Sequence, residues 1–224
     1  MHFWRIMIFL LPFFILGNTP NGFGQSKAVL KAALKNPDHS LWSEPAPDKF
    51  QAKFWTTKGT FTIEVQRDWA PIGADRFYHL VQTGFFNKSR LYRIRAGFIA
   101  QFGIPGKAEI AQIWRYQKMK DDPVVATNLK GYVSYAMTGV DERTTQVYIN
   151  YKDNVDLDDG GFAPFGKVIE GMDVIESFYS DYGENSGGGM RTNKQDQMFE
   201  QGNKWLDENF PKLDRLKKAR IIKK

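Results

Sequence analysis

Hydrophobic and polar positions along the chain change period several times, and each change marks an element. Arg5 is followed by eleven apolar or proline residues, Ile6 to Leu16, then by Gly17, Asn18 and a small-residue stretch ending Gly22-Phe23-Gly24. A positive start, a short apolar run and a small-x-small site mark residues 1–24 as a secretory signal peptide. The run is shorter than the roughly 20 residues that a spanning helix needs. The mature chain is therefore expected to start near Gln25, to be exported to a periplasm or secreted, and to keep no stable membrane insertion after cleavage. Residues 25–52 read as an N-terminal extension. Within it, 26–36 can start a short helix, and 37–49, with Pro37, Pro45 and Pro47, form an extended lead-in.

Beyond the extension, period-2 runs dominate the chain. KFWTT and TFTIEV flank Lys58-Gly59 and predict a hairpin over Lys53 to Glu64. Pro71 opens a helix that Gly84 stops, with Phe77, Leu80 and Val81 as its apolar stripe. Leu91 to Phe102 reads as one strand. Gly131 to Tyr135, Gln146 to Asn150 and Phe165 to Val168 are further strands. A short helix with Met172, Val174 and Ile175 comes next. Residues 183–195 read as a flexible loop, and Asp196 to Asn209 as a helix with Met198, Trp205 and Leu206 inward. The chain closes on Ala219 to Ile222. Many short strands with a few helices predict a mainly β fold, a closed antiparallel β-barrel capped by helices, which would leave no sheet edge.

Composition narrows the chemistry. The chain is 42% hydrophobic and 25% charged, with 18 Phe, 9 Tyr and 6 Trp, which favours a packed domain over a disordered one. Cysteine is absent, so disulfides, thiolate nucleophiles, iron–sulfur clusters and Cys-bearing zinc sites are excluded. The three histidines, His2, His39 and His79, allow no HExxH helix. No metal ion or other cofactor is expected. The net charge of +6 owes much to the run Lys212 to Lys224, which reads as a solvated face; no aromatic-interleaved motif points to nucleic acid. Gly161 to Lys167 matches a phosphate-loop frame, but Val168 stands where a Ser or Thr would hold magnesium. Asp153 to Gly160 lacks calcium-loop spacing.

Several ordered blocks carry a resemblance. Tyr92-Arg93-Ile94-Arg95-Ala96-Gly97-Phe98-Ile99-Ala100-Gln101-Phe102-Gly103, Ser134-Tyr135-Ala136, Gln146-Val147-Tyr148-Ile149 and Phe165-Gly166-Lys167-Val168-Ile169-Glu170-Gly171-Met172 occur in this order. Their residues and spacing resemble the cyclophilin family of peptidyl-prolyl isomerases over about residues 53–180. The chain departs from the family pattern at Tyr92 (family His), Ala96 (Pro), Ile99 (Met), Met137 (Asn), Asp156 (Trp) and Phe162 (His). Glu142 to Thr145 replaces a Gly-rich stretch.

The resemblance implies a cyclophilin-like isomerase domain over 53–224 that assists protein folding outside the cytoplasm as a monomer, acting on proline-containing unfolded or folding polypeptides. By resemblance, Arg93, Phe98 and Gln101 are the catalytic residues. Arg93 would stabilise the twisted prolyl amide. Ile99, Ala136, Met137, Gln146, Tyr148, Leu157 and Phe162 would bind substrate, with Phe98, Ile99, Tyr148 and Leu157 as the socket for the proline ring. From pattern alone Arg93 is a solvent-facing strand residue, the four socket residues are core, and the two glutamines are strand surface. The departures at Tyr92, Met137, Asp156 and Phe162 leave open a non-catalytic proline-peptide-binding chaperone module. The basic tail leaves open a scaffold docked through it.

Overall fold

A computed structural model describes residues 25–188 and 194–222. The signal peptide expected over residues 1–24 lies outside the described residues, as do positions 189–193 of the expected loop. The extension contributes a helix, α1 (Lys27–Lys35), capped by Ser26, whose Oγ accepts from the Val29 amide. The lead-in is only partly extended. Ser40–Ser43 winds into a 3-10 turn, with His39 Nδ1 accepting from the Leu41 amide. Trp42 from this turn lies edge-on to Trp114, 4.4 Å between ring centroids, and so ties the extension to the body.

The hairpin is longer than its sequence signal: β1 (Lys49–Thr56) pairs antiparallel with β2 (Thr60–Gln66). Alternation in β1 buries Phe50, Ala52 and Phe54. Helix α2 (Pro71–Gln82) buries the expected Phe77, Leu80 and Val81. Then come β3 (Ser89–Arg90), β4 (Arg93–Arg95), β5 (Ile99–Phe102), α3 (Ala108–Trp114), β6 (Tyr132–Tyr135), β7 (Val147–Asn150), α4 (Asp156–Asp159), β8 (Pro164–Glu170), α5 (Met172–Glu176), α6 (Asp196–Gln201), α7 (Asn203–Asn209) and β9 (Arg215–Ile222).

The strands form one sheet in the order β3-β9-β1-β2-β8-β6-β7-β5-β4. It is antiparallel throughout and curls as a half-barrel around α2. The closed barrel expected from the sequence is not confirmed: β3 and β4 end the order, and among the described residues no strand pairing joins them. The single strand expected over Leu91 to Phe102 is instead a hairpin. Its turn is Arg95-Ala96-Gly97-Phe98, closed by the Phe98 amide donating to the Arg95 carbonyl, with Gly97 at φ +69°. Glycine, free of Cβ strain, is the residue best suited to that position. The helix expected over 196–209 breaks at Gly202, where φ is +62°.

The core is aromatic. Phe54 stacks on Phe61 at 4.8 Å, and Phe77, Phe86, Phe102 and Phe165 continue the packing. All are fully buried, each contributing about 1.5–3 kcal/mol of transfer free energy. A second cluster of Tyr92, Ile104, Ala111, Met198, Phe199, Leu206 and Leu213 packs α6 and α7 beside α3. Trp205 is only partly buried against it.

Candidate active site

Strand register gathers the candidate residues. Arg93 pairs with Gln101 across β4 and β5, Gln101 with Tyr148 across β5 and β7, and Tyr148 with Ser134 across β7 and β6. Directly opposed residues of a pleated sheet share a face. Ile99, Gln146 and Ala136 stand two residues from Gln101, Tyr148 and Ser134, so they point to the same side. The opposite face, with Ala100, Phe102, Val147 and Ile149, joins the core.

A polar chain crosses this face. Arg93 donates from Nη1 to Gln101 Oε1 at 2.7 Å, and from Nε and Nη2 to the two carboxylate oxygens of Glu184 at 2.9 and 2.7 Å. Gln101 Nε2 donates to Tyr92 Oη at 3.2 Å and to Gln146 Oε1 at 3.0 Å. The Tyr92 hydroxyl donates to Gln146 Oε1, and Gln146 Nε2 to Gln195 Oε1 at 2.8 Å. Every member of a buried polar network must be satisfied for it to hold one geometry. The guanidinium is thus fixed at the groove's edge, its side chain 13% exposed.

Beside it lies an apolar socket. Ile99, Ala136 and Tyr148 are buried together, and Phe98, Leu157 and Phe162 pack on them partly exposed. The Phe162 ring meets Tyr148 edge-on at 6.0 Å, and the Arg95 guanidinium sits 5.1 Å from the Phe98 ring centroid. Met137 is half-buried outside this cluster, on the rim beside Gly161, where an added Cβ would lie 3.4 Å from its Cε. Past Gln146 a cleft of about 160 Å³ continues between Thr138, Glu142, Arg115, Gln195 and Phe199.

Two asparagines stitch the socket together. Asn128 Oδ1 accepts from Tyr148 Oη at 3.0 Å and from Ser134 Oγ at 2.9 Å. Its Nδ2 donates to Asp158 on α4 and to the Phe162 carbonyl, both at 2.7 Å. Asn154 Nδ2 donates to the Phe98 carbonyl at 3.1 Å. Burial pushes the Tyr92 and Tyr148 phenols well above their ordinary range, so both stay donors.

Of the expected residues, Arg93, Gln101 and Gln146 share the polar chain, and Phe98, Ile99, Ala136, Tyr148, Leu157 and Phe162 share the socket. Glu184, Gln195, Asn128 and Asn154 join them without any signal in the sequence. They lie in loops, with neither periodicity nor motif to flag them.

A guanidinium is held beside a buried apolar cluster on a curled sheet, and comparisons with known proteins bear on the fold that carries them. A family model described as cyclophilin type peptidyl-prolyl cis-trans isomerase/CLD matches residues 51–203, more than half of the chain. The chain belongs to the cyclophilin-type peptidyl-prolyl isomerases. Peptidyl-prolyl cis-trans isomerase A of Dickeya dadantii is 33% identical over 143 residues, which is 59% of this chain and 72% of that protein. A peptidyl-prolyl cis-trans isomerase of Acinetobacter baylyi is 35% identical over 131 residues, 54% of this chain and 67% of that one. A Cryptosporidium parvum cyclophilin of known structure covers 79% of this chain and 99% of its own, with a TM-score of 0.57 at 17% identity. In this chain Phe199 of α6 and Gln195, the residue before that helix, line the cleft past Gln146.

Proposed function

We propose that Arg93 is the catalytic residue of this cyclophilin and that the Ile99–Ala136–Tyr148 cluster, with Phe98, Leu157 and Phe162, holds the proline ring. The observation that carries this reading is the Arg93–Gln101 pair standing one strand from Tyr148 on the same face.

Rotation about a peptide bond must break amide resonance, with a barrier of about 18–20 kcal/mol, and X–Pro bonds take tens to hundreds of seconds unaided. As the bond twists, the prolyl nitrogen regains a lone pair. A guanidinium held in place donates to that lone pair and binds the twisted state more strongly than either planar one. Gln101 and Gln146 supply amide groups for the backbone of the bound chain. No bond is made or cut. The substrates are proline-containing segments of unfolded or folding polypeptides. A structure of the Cryptosporidium cyclophilin obtained in the presence of the dipeptide Ala-Pro supports this substrate class.

Loss of a charge-assisted hydrogen bond costs about 1.5–3 kcal/mol, so Arg93→Ala should lower kcat/KM about tenfold to a hundredfold. Arg93→Lys should not restore it, because a point charge replaces the planar fork. A folded Arg93→Ala protein with unchanged kcat/KM would sink this reading. An inactive wild type that binds proline peptides would make the chain a binding module.

The protein acts outside the cytoplasm in this reading, supported by the apolar run Ile6 to Leu16 behind Arg5. Expressed with its own first 24 residues in a bacterial host, it should be recovered from the periplasm with an N-terminus near Gln25 by mass spectrometry. An intact Met1 would overturn the export.

A further inference from the structure

Glu184 lies outside the motif blocks, in the turn that follows α5, yet its carboxylate reaches Arg93. The two bonds run in parallel, from Nε to Oε2 at 2.9 Å and from Nη2 to Oε1 at 2.7 Å. With Nη1 on Gln101, three of an arginine's five N–H groups are engaged. A bidentate carboxylate fixes the plane of a guanidinium; a single amide oxygen leaves it free to swing. Without Glu184, Arg93 would be tethered through Gln101, on a side chain rich in rotamers.

The turn that carries Glu184 is pinned on both sides. Before it, the Tyr179 amide donates to Asp214 Oδ2 at 2.8 Å. The Tyr182 ring lies 4.9 Å from Tyr179 and 5.2 Å from Phe210, the C-cap residue of α7. After it, Ser186 Oγ donates to the Tyr92 carbonyl. Gly187 presses so closely on Tyr92 that an added Cβ would lie 2.5 Å from its Cδ2. Residues 183–188 are therefore a packed turn on the residue preceding Arg93, where the sequence alone reads as a flexible loop. The Glu184 side chain remains 37% exposed. An ion pair so placed adds little to stability, and its effect should be felt in the alignment of the guanidinium.

We propose that Glu184 is the positioning residue for Arg93: it locks the guanidinium plane so that the remaining N–H groups meet the twisted prolyl nitrogen. The inference rests on Arg93 being the catalytic residue. Its test is a double-mutant cycle with Glu184→Ala and Arg93→Ala, assayed on a proline peptide by protease-coupled kinetics. Glu184→Ala should lower kcat/KM about tenfold, through kcat with KM little changed, as loss of transition-state alignment requires. Thermal stability should hardly move. Glu184→Gln should recover part of the rate, since its amide oxygen accepts one of the two bonds. In the Arg93→Ala background, Glu184→Ala should change nothing further. The Arg93 Nε–H resonance, sharp in the wild type, should broaden in Glu184→Ala.

A Glu184→Ala enzyme as fast as the wild type or faster would overturn the proposal, the faster case making Glu184 a brake. An equal further loss in the Arg93→Ala background would overturn it too, by giving Glu184 a role independent of Arg93. A slow Arg93→Ala enzyme beside a wild-type Glu184→Ala one removes this inference alone. A wild-type Arg93→Ala enzyme removes the Arg93 reading and this inference with it.

Discussion

Two buried phenols hold the site's polar chain and its socket, and each does so as a hydrogen-bond donor. Tyr92 gives its proton to Gln146 Oε1, and Tyr148 gives its own to Asn128 Oδ1. Desolvation disfavours the phenolate in both, raising the folded values above the ordinary tyrosine value of about 10. The unfolded chain therefore releases these protons first as the pH rises. The stability contribution is fully present below about pH 10 and is lost progressively above it. The urea midpoint should fall between pH 8 and about pH 11, and Tyr92→Phe should flatten part of that fall. A midpoint that declines equally in Tyr92→Phe would show that other groups govern alkaline unfolding. Tyr92 stands where the cyclophilin pattern has a histidine. The substitution exchanges a group that titrates near neutrality for one that keeps its proton there.

At the scale of elements, α2 shows how a helix can be capped from a distance. Its N-cap residue, Ala70, has no side-chain acceptor. The first amides find one in Asp122: Ile72 N donates to Oδ1 at 2.9 Å and Gly73 N to Oδ2 at 2.8 Å. The same carboxylate accepts from Arg143 Nη1 at 3.1 Å, both side chains being 1% exposed. Arg143 comes from the stretch where the cyclophilin pattern is Gly-rich. Here it fills that space with a buried cation, whose Nη2 also donates to the Lys120 carbonyl. Arg143 Nε also stands 3.0 Å from Asp121 Oδ1, so removing Asp122 takes one of two carboxylates from the buried cation and leaves the first α2 amides without their acceptor. Asp122→Ala should therefore destabilise the protein by about 1.5–3 kcal/mol, as expected for a lost hydrogen bond to a charged group, and Asp122→Asn, which still caps, by less. Chemical denaturation measures both. A loss under about 1 kcal/mol in Asp122→Ala would mean that water or a neighbour takes over the cap and the pair.

At the scale of the whole molecule, the curled sheet turns one face to the aromatic core and presents the other, over β4 to β7, as a groove. The sequence by itself determined the parts governed by local period and covalent spacing. The alternation in β1 and β2, the apolar stripe of α2 and the ordered cyclophilin blocks are all of this kind, because each is set within a few residues. The spacing of Arg93, Phe98 and Gln101 was legible for the same reason, although alternation alone reads residues 91–102 as one strand. Only the tertiary structure decided that Gly97 folds that run back on itself, bringing Arg93 opposite Gln101. It also decided that, among the described residues, no pairing joins β3 to β4, since pairing at a sheet's ends depends on curvature summed over every strand between them. Glu184 meets Arg93 across 91 positions of chain, and Asp122 caps Ile72 across 50. Contacts at that separation depend on where packing delivers the two segments, and neither residue sits in a pattern that its own neighbours could reveal.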